Sequence, residues 1–111
     1  MKKVGRVYFK DIYAGRIERA DGEYRFTYVP EYLSGPNPEP ISLLLPLRKD
    51  PFRDKTLLPY FDGLIPEGWL LNIAERNWKI DPKDRMSLLL TICQDCIGAV
   101  KVIDASSEEP E

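Results

Sequence analysis

The sequence predicts an α+β domain: a mostly antiparallel β-sheet, made of a meander plus a C-terminal strand, with two to three helices packed on one face or end. Three observations predict it. The first thirty residues alternate apolar and polar side chains between turn signals, residues 66–93 carry apolar positions at helical spacing behind proline-marked starts, and the chain returns to an apolar, β-branched run at residues 97–103. With 111 residues, 43% hydrophobic and 31% charged, there is material for one core and not for two. Folding at this length removes roughly 65% of the unfolded chain's surface from water, so no disulfide framework is required.

Val7 and Phe9 alternate with Arg6, Tyr8 and Lys10; Ile12, Ala14 and then Ile17 continue beyond a tight turn near Asp11; Tyr24, Phe26 and Tyr28 alternate with Arg25 and Thr27. This is the pattern of three antiparallel strands. Asp21-Gly22 stands between the second and third, where glycine takes the positive φ of a primed hairpin turn and fixes the register. Residues 34–40 hold three prolines and a glycine, which neither complete a strand ladder nor hold a helix, and read as a surface loop. Ile41-Ser42-Leu43-Leu44-Leu45 reads as a buried strand ended at Pro46, and residues 48–55 as a second, charged loop.

Pro66 suits the first turn of a helix running to about Asn77, with Leu70, Ile73 and Ala74 at helical spacing. A following helix is better marked. Asp81 can accept from backbone N–H groups as its N-cap, Pro82 takes the first position, Asp84 adds negative charge to the first turn, and Met86, Leu89, Leu90 and Cys93 line one face. From Ile97 the chain enters a strand expected to pair back into the N-terminal sheet. The domain is thus expected over residues 1–103, with residues 104–111 as an acidic, disordered tail.

The net charge of -2 conceals an asymmetry, because Asp104, Glu108, Glu109 and Glu111 fall in the final eight residues and the remainder carries 16 basic against 14 acidic side chains. That near balance lacks the excess of cations through which nucleic-acid binders attract phosphate, so direct DNA binding is not expected. Lys2, Lys3, Arg6, Lys10, Arg16 and Arg19 cluster near the N-terminus, most simply as the solvated face of a sheet and alternatively as a basic edge. No apolar run approaches the ~20 residues of a membrane span, and residues 1–6 lead into a strand pattern instead of a signal segment. A cytoplasmic protein with no membrane association is expected.

Several chemistries can be tested against residue types. The absence of histidine removes Ser-His-Asp and Cys-His catalysis and histidine-based metal sites. Cys93-Gln94-Asp95-Cys96 has the spacing of a redox dithiol or half a zinc site, but these cysteines fall at an expected helix C-terminus, where the dipole raises thiol pKa, and zinc would need two further ligands. Gly63 and Gly68 have the spacing of a phosphate-binding loop, yet Trp69-Leu70 stand where Lys and Ser/Thr are required. Kinase signature motifs are missing as well. Asp62 and Glu67 read as capping and dipole-complementing groups before they read as an acid/base pair. No enzyme activity, cofactor or metal is expected.

Three segments carry a family resemblance: Phe61-Asp62-Gly63-Leu64-Ile65-Pro66-Glu67, Asp84-Arg85-Met86-Ser87-Leu88-Leu89, and Gln94-Asp95-Cys96-Ile97-Gly98-Ala99-Val100. Over about residues 4–103 the chain resembles the N-terminal domain of HipA-type serine/threonine kinase toxins, with Gln94 where arginine is common. In that family the domain precedes a kinase core. The resemblance implies either an excised N-terminal piece of a longer kinase, which stabilises the kinase core, or a free-standing, HipS-like antitoxin that binds and inhibits a separately encoded HipA-type Ser/Thr kinase. On the second reading a helix-turn-helix protein of the same complex holds operator DNA, and contact of this chain with DNA is indirect. The partner-binding residues it points to are Trp69, Gly68, Glu67 and Asp62. Trp69 follows Gly68 in the first turn of a helix whose inward face is supplied by others, so it serves either as an interface anchor or as a core residue. Phe61 and Trp78 are weaker anchor candidates, read first as core residues.

Overall fold

Two turns of left-handed backbone set the register of the sheet in the computed structural model, which describes residues 3–65, 84–92 and 99–106. Lys10 and Asp11, at φ 51° and 66°, join β1 (Lys3–Phe9) to β2 (Ile12–Ala20), and Asp21 and Gly22, at φ 55° and 75°, join β2 to β3 (Glu23–Tyr28). Positive φ at both central positions is the type I′ turn, whose twist matches that of the strands it connects. The meander therefore forms where the turn residues predict it. β5 (Val100–Asp104) comes back antiparallel beside β1, with Val102 opposite Val7. A short β4 (Phe52–Asp54) adds to the other side, with Phe52 opposite Phe26. The sheet order is β4-β3-β2-β1-β5, every pairing antiparallel. Three helices complete the described α+β fold: α1 (Pro30–Leu33), α2 (Pro59–Asp62) and α3 (Arg85–Ile92).

The break in alternation between Ala14 and Ile17 has a structural cause. Val7 pairs with Gly15 but Tyr8 with Tyr13, so Ala14 is the extra residue of a β-bulge. The bulge lets Ala14 and Ile17, three positions apart, both be fully buried, and it frees the Ala14 carbonyl to accept from the Val29 N–H at 2.9 Å. Ile12, before the bulge, is left 58% exposed.

One face of the sheet carries the core. Val7, Ile17, Phe26 and Val102 meet Phe61 of α2 and Met86, Leu88 and Leu89 of α3, all fully buried. Phe26 is the hub, with ring centroids of Tyr28 at 4.9 Å, Phe61 at 5.2 Å and Phe52 at 6.2 Å. α3 lies close against β1: a methyl at Gly5 would sit 2.6 Å from Leu90 Cδ2 and 2.9 Å from Val102 Cγ1. A side chain there would hold the helix off the sheet.

Four expectations need correction. Residues 41–45 form a tight turn, with Ile41 and Leu45 buried while Leu43 and Leu44 are 96% and 66% exposed. Pro40 and Pro46 bracket it, and its backbone groups are taken locally: the Leu45 N–H donates to the Ser42 carbonyl at 3.0 Å and the Leu44 N–H to Ser42 Oγ at 3.1 Å. The charged loop of residues 48–55 contains β4, because Phe52 can pack on Phe26 while Arg53 and Asp54 stay exposed at the sheet edge. The helix α3 begins at Arg85 with Asp84 as its cap, three positions after the expected cap at Asp81, which lies outside the described residues. Finally, the ordered chain passes the expected boundary at residue 103. β5 includes Asp104, the Ala105 N–H donates to the Val4 carbonyl at 2.8 Å, and Ser106 Oγ accepts from the Val4 N–H at 2.9 Å. Residues 107–111, and the helix expected over residues 66–77, lie outside the described residues.

Candidate interaction surface

The first motif segment begins in α2. Pro59 occupies its first position, where the missing N–H costs nothing. The Gly63 N–H donates to the Pro59 carbonyl at 3.0 Å, the Leu64 N–H to the Phe61 carbonyl at 3.0 Å and the Ile65 N–H to the Asp62 carbonyl at 3.2 Å. This winding turns Phe61 and Ile65 into the core and Asp62 toward the start of α3, confirming Phe61 as a core residue. One Asp62 carboxylate oxygen accepts from Arg85 Nε and faces its terminal nitrogen, both at 2.7 Å. Asp62 keeps 45% of its side chain exposed, so it fixes α2 to α3 and still presents charge to solvent. Because α2 is a single turn, Asp62 is both its last residue and an acidic group of its first turn, and Arg85 is a partner of its carboxylate; the helix start expected at Pro66 lies outside the described residues. Glu67, Gly68, Trp69 and Trp78 lie outside the described residues.

Asp84 organises the second motif segment. Its Oδ1 accepts from the Ser87 N–H at 3.1 Å, the bond of an N-cap residue to the third helical position, and its backbone carbonyl accepts from Leu88 at 3.1 Å. Its Oδ2 accepts from Ser87 Oγ at 2.8 Å and from Lys3 Nζ at 2.8 Å; Lys3 also donates to Ser87 Oγ, and Arg19 stands 3.8 Å from Oδ1. Burial alone would raise the Asp84 pKa, but the bonds from Lys3 and Ser87, with the charge of Lys3, outweigh it and hold the carboxyl at about 2, below its ordinary 3.8. β1 is thereby tied to the start of α3 across more than 80 residues of chain through Lys3, and β2 faces the same carboxylate through Arg19. The D-x-x-x-L-L spacing follows from this geometry: an aspartate caps and clamps, and Leu88 and Leu89, one turn on, are fully buried. Serine, lysine and aspartate converge here as a structural clamp.

The N-terminal cations are largely neutralised by the fold. Lys3 meets Asp84, Lys10 meets Glu39 at 3.2 Å, and Arg16 lies 3.9 Å from Glu18. Lys101 of β5 reaches Asp11 at 2.9 Å. Of the cluster read from sequence, Lys3, Lys10 and Arg16 are thus paired, and Lys2 lies outside the described residues. Among the described residues there is no group of three or more acidic or cysteine side chains placed to hold a metal ion, and no helix long and apolar enough to cross a membrane. Cys93 and Cys96 lie outside the described residues.

Of two concavities among the described residues, the smaller borders the exposed turn of residues 41–45. One, of about 570 Å³, runs beside α1 and is lined by Thr27, Tyr28, Pro30, Leu33, Ser34 and Lys49. The other, of about 260 Å³, lies between Leu44, Leu45, Phe52, Leu58, Pro59 and Tyr60, with Arg48 and Arg53 at its wall. Arg48 stacks its guanidinium 3.7 Å over the Phe52 ring and donates to the Asp50 and Pro51 carbonyls at 3.2 and 3.0 Å. Sequence reasoning missed this surface because five apolar-rich residues passed for a strand. The available signal was the pair of prolines that brackets them.

The sheet order, the helices laid on one of its faces and the clamps at Asp62 and Asp84 define a small α+β domain of the kind that forms the N-terminal part of HipA-type proteins. The profile of the HipA N-terminal domain matches residues 5–103, and the chain belongs to that family. A solved structure titled N-terminal domain of HipA toxin superposes with a TM-score of 0.71 and 31% identity, covering 92% of each chain. A Haemophilus influenzae protein described as uncharacterized is 33% identical over 98 residues, covering 88% of this chain and 89% of that protein. The putative kinase Y4mE of Sinorhizobium fredii is 29% identical over 90 residues, which are 81% of this chain and 21% of that protein. The HipA N-terminal domain is a non-catalytic domain.

Proposed function

We propose that this chain is the non-catalytic component of a HipA-type toxin–antitoxin system, a HipS-like antitoxin that binds and inhibits a separately encoded Ser/Thr kinase. One observation carries the reading: the same domain accounts for nearly all of the Haemophilus influenzae relative and for about a fifth of a putative kinase, so it is used both nearly alone and joined to a larger partner. A domain that recurs in both arrangements keeps a surface that fits the larger part, whether or not a peptide bond links them. The physics of inhibition is steric: a preformed body docks on the kinase and occludes its active-site mouth or holds its nucleotide-binding loop out of place. On this reading Trp69 is the anchor, and Gly68, Glu67 and Asp62 are the further partner-binding residues. A helix-turn-helix protein in the same cytoplasmic complex holds the operator, and this chain reaches DNA only through it.

The experiment is co-purification with the kinase from the neighbouring reading frame, followed by kinase assays with and without this chain. Binding with suppression of phosphorylation is expected, and Trp69→Ala should stay folded and lose roughly tenfold or more in affinity. A mutant that unfolds, or that inhibits as the parent does, removes the anchor assignment. The second reading, a domain that stabilises a kinase core, is favoured by its share of the Sinorhizobium fredii protein and predicts that adding the chain raises kinase activity.

A further inference from the structure

We propose that the turn carrying Leu43 and Leu44, together with the groove beside it, is a further surface, beyond the Trp69 segment, through which this chain holds its partner kinase; the identity of that partner rests on the function proposed above. Leu43 is 96% exposed and Leu44 66%, among the largest apolar exposures of any described side chain, and they are adjacent. Single exposed leucines need no explanation, but these two stand beside an apolar groove of about 260 Å³ that continues from Leu44 to Phe52 and Tyr60.

The turn is also held in place. The buried hydroxyl of Tyr28 donates to the Leu45 carbonyl and accepts from the Ile41 N–H at 3.0 Å, gripping both ends of the turn. Tyr32, stacked on Tyr28 with ring centroids 6.0 Å apart, donates to the Glu39 carbonyl at 2.6 Å and accepts its N–H at 3.2 Å. Two tyrosines thus fix the backbone of a segment whose central side chains touch almost nothing in the chain. A projecting apolar pair on an ordered backbone binds without a large ordering cost, which is the economy of a preorganised interface.

Charge selects the occupant. Among the described residues that line the groove there are two guanidiniums, Arg48 and Arg53, and no carboxylate. Arg48 is engaged by Phe52 and two backbone carbonyls, whereas Arg53 is exposed on the edge strand β4. The complementary surface is an apolar recess that receives Leu43, bordered by carboxylates that meet Arg53. A second copy of this chain presents the same cations and would bring guanidinium against guanidinium in a symmetric pairing of these faces, which disfavours it.

The test uses the full chain and the co-encoded kinase in titration calorimetry, with hydrogen exchange on the same samples. The parent chain is expected to bind and the amides of residues 41–47 to exchange more slowly in the complex. Leu43→Asp should keep the parent's melting temperature, since its side chain has no buried contacts to lose, and weaken binding by roughly tenfold or more. Arg53→Glu should weaken binding by roughly severalfold, with the difference shrinking as salt rises. A parent chain that binds no kinase overturns the proposed function and this occupant with it. A parent that binds while Leu43→Asp binds equally well, and residues 41–47 exchange as in the free chain, overturns the surface alone. Self-association of the free chain that Leu43→Asp abolishes while kinase affinity is unchanged assigns the surface to a second copy and overturns the proposal. If Leu43→Asp does not fold, the exchange protection of the parent complex decides.

Discussion

Replacing Asp84 by alanine removes an N-cap, a partner for Lys3 and a partner for Ser87 in one step. The magnitude follows from the titration of the group. Its carboxyl is held at about 2 against an ordinary 3.8, a difference equivalent to ~2 kcal/mol favouring the folded, ionised state. The side chain is 22% exposed, so solvent screening removes only part of that. The loss of an N-cap by itself typically costs ~1 kcal/mol and is contained within the same figure. A destabilisation of ~2 kcal/mol lowers the melting temperature of a domain this size by roughly 10 °C. Asp84→Asn, which retains an acceptor for the Ser87 N–H and loses the charge, should fall about halfway.

The pH dependence supplies the sharper test. Because the folded pKa is depressed, the unfolded chain binds the proton first as pH falls, and the stabilisation, complete above about pH 5, disappears between the ordinary value of 3.8 and about 2. Thermal unfolding followed by circular dichroism at pH 7, 4 and 2 should show a gap between parent and Asp84→Ala that is full, reduced and nearly closed in that order. A gap that is absent at pH 7, or unchanged at pH 2, would refute the clamp.

Two further substitutions probe the packing. In Gly15→Ala the new methyl would lie 2.6 Å from the Phe26 ring and 2.7 Å from the Thr27 carbonyl oxygen; neither the core hub nor a paired backbone can yield, so a loss of about 1–3 kcal/mol in denaturant unfolding is expected, and a neutral result would contradict the described bulge. Tyr28→Phe leaves the Ile41 N–H and the Leu45 carbonyl without their buried partner, which should cost about 1–3 kcal/mol and speed amide exchange at Ile41, whereas unchanged exchange there would show that the hydroxyl does not hold the turn.

Much of this was legible in sequence because it is written locally. Alternation in β1 to β3 and the turn residues Asp11, Asp21 and Gly22 specify a meander through φ preferences and burial that depend on near neighbours alone. The return of the last strand to the N-terminal sheet was expected as well, but its place beside β1 came only from the structure. What escaped was set by distant partners. β4 is a strand only because Phe52 finds Phe26, and three residues with two exposed charges carry no periodicity. In sequence Asp84 has only the part of a first-turn charge; Lys3, more than 80 residues away, is among the contacts that make it the cap and clamp of α3. Phe61 and Asp62 are neighbours in a motif, yet one is buried and the other faces Arg85, a division made by the winding of α2.

The amino-acid order by itself determined the family, the antiparallel meander and the absence of histidine-based chemistry, since each depends on residue type and short-range spacing. The tertiary structure decided which of the apolar residues serve the interior. Ile41 and Leu45 are drawn inward because Tyr28 satisfies their backbone there, and the prolines on either side prevent the intervening residues from following as a strand. Leu43 and Leu44 are left in water for that reason, and hydrophobicity read along the chain could not separate them from their buried neighbours.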